Sequence, residues 1–291
     1  MPQASLRCAG PAGRTGSNSL RWASLRCAGV VSTPAALRVA EYHAVSFRRL
    51  WRATIGTAFF APLFYLAGMG LGLGSLIDQS ASSSASLDGH SYVAFLAPGL
   101  LAANGMIIGS LDSTWPVLGA MRWNRTFYAM TSTPLRAADL VAGHVLWMTF
   151  RVFVSVGAFA AVMMLFKDTR TLGTVAAVPG GVLTGLAFAA PTFAWACTVD
   201  DNGGKFASFQ RFVIVPMFLF SGTFFSVSLL PAWLQVVAWF TPLFHGVSLC
   251  RGLALGGVPA WQMAVHATFL IALAVAGVLV GRRTLARRIY P

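Results

Sequence analysis

The stretch FSGTFFSVSLLPAWLQVVAWFTPLFHGVSLCRG, residues 220–252, decides how this chain folds. It is too apolar for an ordinary connection and too interrupted for one membrane-crossing helix. Pro231 and Pro242 break it, Trp233 and Trp239 punctuate it, and His245 and Arg251 stand near its end. An interior proline removes a backbone hydrogen bond and clashes with the preceding turn. The stretch is therefore greasy without being a span.

Its surroundings are built for lipid. The 291 residues are 56% hydrophobic and only 10% charged, with a mean hydropathy of +0.69. Soluble domains carry about 25% charged residues, so the polar cover of a soluble protein is missing here. The net charge of +13 does not point to nucleic acid, because the arginines fall in clusters between apolar runs, as topology signals do.

A hydrocarbon core of about 30 Å takes roughly 20 apolar residues of helix. Such runs lie at about 54–77, 92–112, 146–166, 172–196, 212–230 and 261–281. The sequence thus predicts an all-α polytopic membrane protein with six transmembrane helices and the opening stretch between the last two. Arginine placement sets the orientation. Eight arginines precede the first run; Arg122, Arg125 and Arg136 follow the second; Lys205 and Arg211 follow the fourth; Arg282, Arg283, Arg287 and Arg288 close the chain. The other side offers only Lys167, Arg170 and Arg251. Both termini are expected in the cytoplasm, with the protein in a bacterial plasma membrane. Arg151, about two turns into the third helix, is expected to snorkel to the boundary, with a buried functional arginine as the alternative.

Residues 1–33 repeat ASLRCAG identically at 4–10 and 23–29. They are rich in arginine and lack acids, as transit peptides do, but a duplication or an early start codon explains the repeat better. A disordered tail at 1–33 and a transmembrane domain at 34–291 are expected. The segment 37–51 differs from that tail. Leu37, Ala40, Ala44, Phe47 and Trp51 share one helical face, while Arg38, Glu41, Arg48, Arg49 and Arg52 share another. That pattern predicts an amphipathic helix in the cytoplasmic interface.

No catalytic constellation stands out. Cys8, Cys27, Cys197 and Cys250 have no metal-ligand spacing, nor do the five histidines. No carboxylate lies securely mid-span, which disfavours a proton-coupled secondary carrier. The closest approach to a phosphate-binding loop, DDNGGKFAS at 200–208, lacks the upstream glycine and has Phe206 after the lysine. An active transporter built on this chain takes its energy from another polypeptide. An intramembrane enzyme acting on lipids or polyprenyl phosphates has only His245 with Arg251 to draw on.

Three segments carry a family resemblance: YLAGMGLGLGSLID (65–78), WNRTFYAMTSTPLRAADLVAGHVLW (123–147) and the stretch 218–256 that contains the opening quotation. In order and spacing they resemble the type-two ABC exporter permeases, most of all the nodulation-factor, lipooligosaccharide and daunorubicin-type branch, over roughly residues 35–285.

The resemblance implies a permease without a cofactor of its own, working as a homodimer with a separate ATPase subunit that binds ATP and Mg. It implies an amphiphilic substrate, such as a lipooligosaccharide, a lipid-linked glycan or a hydrophobic drug. It also implies that 220–252 is an outer re-entrant helical hairpin, a lid on the pore. Pro231 would end one piece and start the next, Pro242 would break the second, and Trp233 and Trp239 would sit at headgroup level. Segment 115–142 resembles the ATPase-coupling region. There Thr133 and Pro134 are expected as a helix N-cap and first residue, Arg136 and Asp139 on the exposed side, and Arg122 and Arg125 toward the ATPase. The chain departs from the branch at Ser248 and Ser226, where relatives often carry glutamate and proline. A local charge-pair role for Arg251 is therefore left open, and His245 reads more simply as a structural cap than as a substrate sensor.

Overall fold

The structure, a computed structural model, describes residues 35–74, 90–200 and 203–290, with side chains between residues 49 and 73 described only in part. The expected tail at 1–33 and most of the loop at 78–91 lie outside the described residues. Every regular element among the described residues is helical.

The helices follow the apolar runs. Helix α1 covers Ala35–Ala67 and continues as a π-helical segment, Gly68–Gly74. Helix α2 (Tyr92–Leu118) is extended by the π turn Gly119–Trp123, and the short α3 (Thr126–Thr131) leads to α4 (Ala137–Met163). Helix α5 spans Leu172–Ala196. Next come α6 (Gly204–Phe209), a π turn Gln210–Ile214 and α7 (Val215–Phe220). The chain closes with α8 (Ala232–Trp239), α9 (Pro242–Leu255) and α10 (Ala260–Ile289).

Four stretches are long and apolar enough to cross a membrane: Tyr92–Trp123, Ala137–Met163, Leu172–Ala196 and Ala260–Ile289. A fifth is reached if α8 and α9, bent by 86°, count as one. The expected run at 54–77 falls on the second half of α1 and beyond. The expected run at 212–230 is displaced: its helix begins at Gly204 and stops at Phe220. Gly222, with φ +82°, supplies the left-handed turn that ends it.

Helix α2 is the axis of the bundle. Of its most apolar stretch, 83% is buried, against 11% for that of α10, which lies on the outside of the bundle. Close approach of α2 to α5 needs glycine. A Cβ on Gly105 would land on the Gly181 carbonyl oxygen, and one on Gly109 on that of Gly185. These pairs also set direction, since α2 and α5 advance together. Asn104 meets Ser155, Asp112 meets Arg151 and Ser113 meets Met148, so α4 runs the opposite way. The first half of α1 lies along α4 in the same direction, with Ala36 and Val39 against Gly143 and His43 beside His144.

One end of the bundle thus collects the start of α1, the α2–α4 connection, the end of α5 and the end of α10, and it is rich in arginine. Helix α9 belongs to the opposite end. Gly246, near its start, abuts Thr184 in the middle of α5, while the Ala254 carbonyl lies against Gly173 at the beginning of α5. Fourteen residues of helix rise only about 21 Å. So α9 begins mid-bundle and climbs back to the opposite end.

Candidate functional site

At the arginine-rich end, the connection from α2 to α4 carries most of the residues singled out in the sequence. Arg122 reaches the Asp200 carboxylate at 2.9 Å and also donates to the Asp200 carbonyl. Arg288, on the last turn of α10, holds the same carboxylate from the other side. Arg125 takes a left-handed backbone, φ +49°, and with Met121, Arg122, Tyr128, Asp200 and Arg288 it surrounds a cavity of about 510 Å³. The hydrogen bond from Arg288 first, then the charges of Arg288 and Arg122, hold the Asp200 carboxyl below its ordinary range. Asp200, Tyr128 and Arg288 make this site without having been expected there. Their signal was slight, a lone acidic pair in a basic loop.

Thr133, Pro134, Arg136 and Asp139 occupy the neighbouring turn outside that cavity. Thr133 and Pro134 do not begin α4. The Thr133 hydroxyl donates backward to the Met130 carbonyl at 2.5 Å. The helix starts three residues later, at Ala137, because Asp139 accepts the Arg136 N–H at 3.1 Å. That carboxylate in the first turn is favourable to the helix dipole. Thr133, Pro134 and Arg136 are all exposed, and Asp139 is half-buried.

On α1, Glu41 and Arg48 are exposed, while the side chains of Arg49, Trp51 and Arg52 lie outside the described residues. The buried face overlaps the expected stripe only in part. Val39 is 1% exposed whereas Leu37 is 45% exposed, because the helix packs on α4 through Val39, His43 and Phe47.

Inside the bundle, Arg151 does not snorkel. Its Nε and Nη2 meet the two oxygens of Asp112 at 2.9 and 3.2 Å, and the guanidinium lies 5.1 Å from the Phe47 ring centre. An opposite charge on the facing helix satisfies it where it stands. Each residue alone looked like a boundary charge; that they meet required knowing how α2 and α4 pair.

At the opposite end, Pro231 directly precedes α8, and Trp233 and Trp239 are exposed. The second piece breaks directly before Pro242, with an 86° bend, and Pro242 is the first residue of α9. The Thr241 hydroxyl accepts the Phe244 N–H at 3.4 Å, and a proline at the first position has no N–H to waste. His245 is buried and shares a 2.7 Å Nδ1–Nδ1 contact with His266 of α10, stacked on Phe269. Arg251 finds carbonyl partners. Its Nε donates to Phe95 at 3.2 Å and its Nη2 to Gly222 at 3.0 Å, with its carbon 3.7 Å from the Phe95 ring centre. Arg251 therefore ties α9 to α2 and to the turn after α7.

Cys197 and Cys250 are buried free thiols. Among the described residues, no group of histidine, cysteine and carboxylate side chains has metal-binding geometry.

Known proteins resemble this chain in sequence. The chain is 32% identical over 228 residues to Nodulation protein J of Rhizobium leguminosarum bv. viciae, covering 78% of this chain and 85% of that protein. It is 30% identical over 230 residues to Nodulation protein J of Rhizobium meliloti (strain 1021), covering 79% and 84%. The sequence pattern of the ABC-2 type transporter family matches residues 43–255, from His43 on α1 to the end of α9. A multi-pass helical membrane protein with that match over most of its length belongs to the ABC-2 type transporter family.

Proposed function

We propose that the chain is the membrane-spanning permease subunit of an ATP-driven exporter. It works as a homodimer with a separate ATPase subunit, which holds the ATP and Mg, and moves an amphiphile out of the cytoplasm or the inner leaflet. Likeness to Nodulation protein J supports the lipooligosaccharide class over a lipid-linked glycan or a hydrophobic drug. The arginine-rich end faces the cytoplasm of a bacterial inner membrane, in accord with the positive-inside rule. Helices α1, α2, α4, α5, the α6–α7 segment and α10 form six crossings with both termini inside.

What carries this function is the exposed turn at Thr133–Arg136. It sits beside a connection braced to α10 through Asp200, so a push on it is transmitted to two other elements. The first half of α1, with Glu41 and Arg48 exposed, lies in the same interface. On the opposite side α8 and α9 form a re-entrant lid. The depth of Gly246 beside Thr184 supports that reading over a full crossing, and the outward-facing Trp233 and Trp239 suit the headgroup layer.

The test is to co-express the chain with the ATPase encoded beside it and purify through a tag on the permease. ATPase activity is measured in lipid with Pro134–Arg136 intact or replaced by Gly-Ser-Gly. Stable co-purification, with lipid- and permease-dependent hydrolysis lost in the replacement, is expected. A well-folded permease that retains no ATPase sinks the proposal.

A further inference from the structure

At the arginine-rich end, a pair of histidines joins the first half of α1 to α4. The rings of His43 and His144 stand 5.2 Å apart, with His43 Nε2 3.4 Å from His144 Nδ1. In a neutral pair, one of these two nitrogens carries a hydrogen and the other accepts it. The second nitrogen of His144, Nε2, is buried and meets no hydrogen-bond partner among the described residues. The rings of Phe193 and Phe127 stand 4.9 and 6.0 Å from that imidazole. An orphaned buried N–H is rarer than an under-satisfied acceptor. His144 is therefore assigned its hydrogen on Nδ1, donating to His43 Nε2.

We propose that His43 and His144 form a pH-operated latch, in which proton uptake on His43 Nε2 breaks the contact and releases the first half of α1 from α4. The proton arrives at the accepting atom itself, so two N–H groups then face each other. His144 cannot turn acceptor without moving its hydrogen to the buried Nε2. The proton has a route from water. His43 is half-buried and lines a cavity of about 240 Å³ together with Asp112, Arg151 and the exposed Ser46.

The groups around the pair set where it titrates. Burial lowers the His43 pKa below its ordinary value of 6.5, and the Asp112 charge from α2 opposes this. Arg151 of α4 already holds that carboxylate at 2.9 Å. The Trp147 ring, stacked 5.9 Å from His43, also favours the cation. On α1 itself Tyr42 stands edge-on at 5.4 Å, while Arg38, Glu41 and Arg48 are exposed. From α3 and α5 His144 meets the uncharged rings of Phe127 and Phe193, and Arg288 of α10 is held by Asp200. Because the docked value lies below the free one, docking is at full strength above about pH 6.5. It weakens as the pH falls from there toward the docked value. On the exporter reading this end faces the cytoplasm, so the stimulus is cytoplasmic acid; the latch itself needs no ATPase.

The full chain in phosphatidylcholine nanodiscs, without ATPase, is followed by amide hydrogen exchange at about pH 7.5 and about pH 5.5, each rate corrected for intrinsic exchange. Protection of residues 39–47 should fall several-fold at the lower pH, and at most about tenfold, the limit for one histidine one unit below its free pKa. The α2–α5 contact should keep its protection. His43→Gln supplies an acceptor that does not titrate, and should hold α1 equally at both pH values. His144→Phe removes the donor, and should show the lower protection at both. Histidine-selective nitrogen NMR, assigned through these variants, should find His144 neutral with its hydrogen on Nδ1 throughout, while His43 gains a proton between the two pH values. Protection of α1 that ignores pH, or a fall that persists in His43→Gln, would overturn the latch. A His144 hydrogen on Nε2 would reverse the bond and overturn the release. Failure of ATPase association in the separate co-purification leaves all these outcomes readable.

Discussion

Two ion pairs of the same length hold this molecule together in different ways. Arg151–Asp112, between α4 and α2, and Arg122–Asp200, at the arginine-rich end, both measure 2.9 Å. The first pair is 19% and 17% exposed, the second 38% and 67%. Removing one partner of a buried pair strands a charge, whereas water solvates either ion of an exposed pair almost as well as its partner does. The interior pair belongs to a fixed frame, and the end cluster is a clasp that can open.

The largest effect expected is on the frame itself. Gly109→Leu puts a side chain onto the Gly185 backbone, which cannot move aside, and forces α2 from α5. Overpacking typically costs about 1–3 kcal/mol and more against backbone; the variant should fail to elute as a single species in mild detergent. Gly157→Leu on α4, where an added Cβ meets nothing within 4 Å, should elute like the parent. Next in size is Asp112→Ala, which leaves Arg151 without its carboxylate. A loss of about 3 kcal/mol is expected, at the low end for a buried pair because both groups keep some water. Asp112→Leu together with Arg151→Leu should recover most of it in a thermal-unfolding cycle. Additivity of the single and double variants would show that the pair is not coupled.

That frame was only half legible in the sequence. Apolar runs located α2, α4, α5 and α10 because length and hydropathy are local properties. Which helices touch is not local, so Asp112 and Arg151 were readable as charges but not as a pair. The four-residue spacing shared by Gly105/Gly109 and Gly181/Gly185 was the available clue to the α2–α5 contact. Helix starts show the limit more sharply. Thr-Pro occurs at 33–34, outside the described residues, and at 133–134 and 241–242; of the two described, only 241–242 follows the rule that predicts an N-cap followed by proline. At 133–134, Arg136 and Asp139 supply the helix start instead. At the opposite end only His245 and Arg251 stood out; His266, which meets His245, is twenty-one residues away in sequence.

A smaller effect is expected at Arg251, which carbonyls help to orient. Arg251→Lys keeps the cation but loses the fork that reaches Phe95 and Gly222 together. A loss of about 1–2 kcal/mol is expected from weakened charge-assisted hydrogen bonds. Faster amide exchange should appear in the turn Ser221–Phe225 and leave the α2–α5 contact unchanged. Faster exchange throughout α2 would mean that Arg251 belongs to the frame rather than to the lid.

The smallest effect lies at the clasp, and it separates stability from geometry. Asp200→Asn should leave the thermal midpoint where it was, because the group is exposed and its ions are solvated when apart. It should nonetheless free the end of α10 from the α2–α4 connection. In the parent protein the Arg288 hydrogen bond and the two guanidinium charges depress the Asp200 pKa. The folded value thus lies below the unfolded one, near 3.9, and the clasp's contribution is fully present above that value. It is lost only as the pH falls through the lower folded value. Spin labels at Ser132 and Tyr290 should give one narrow distance distribution at pH 7 and at pH 5 in the parent, and a broad one at both in Asp200→Asn. Broadening of the parent between pH 7 and pH 5 would mean that something titrating well above a depressed carboxyl holds this end, and Asp200 would no longer distinguish it from the interior.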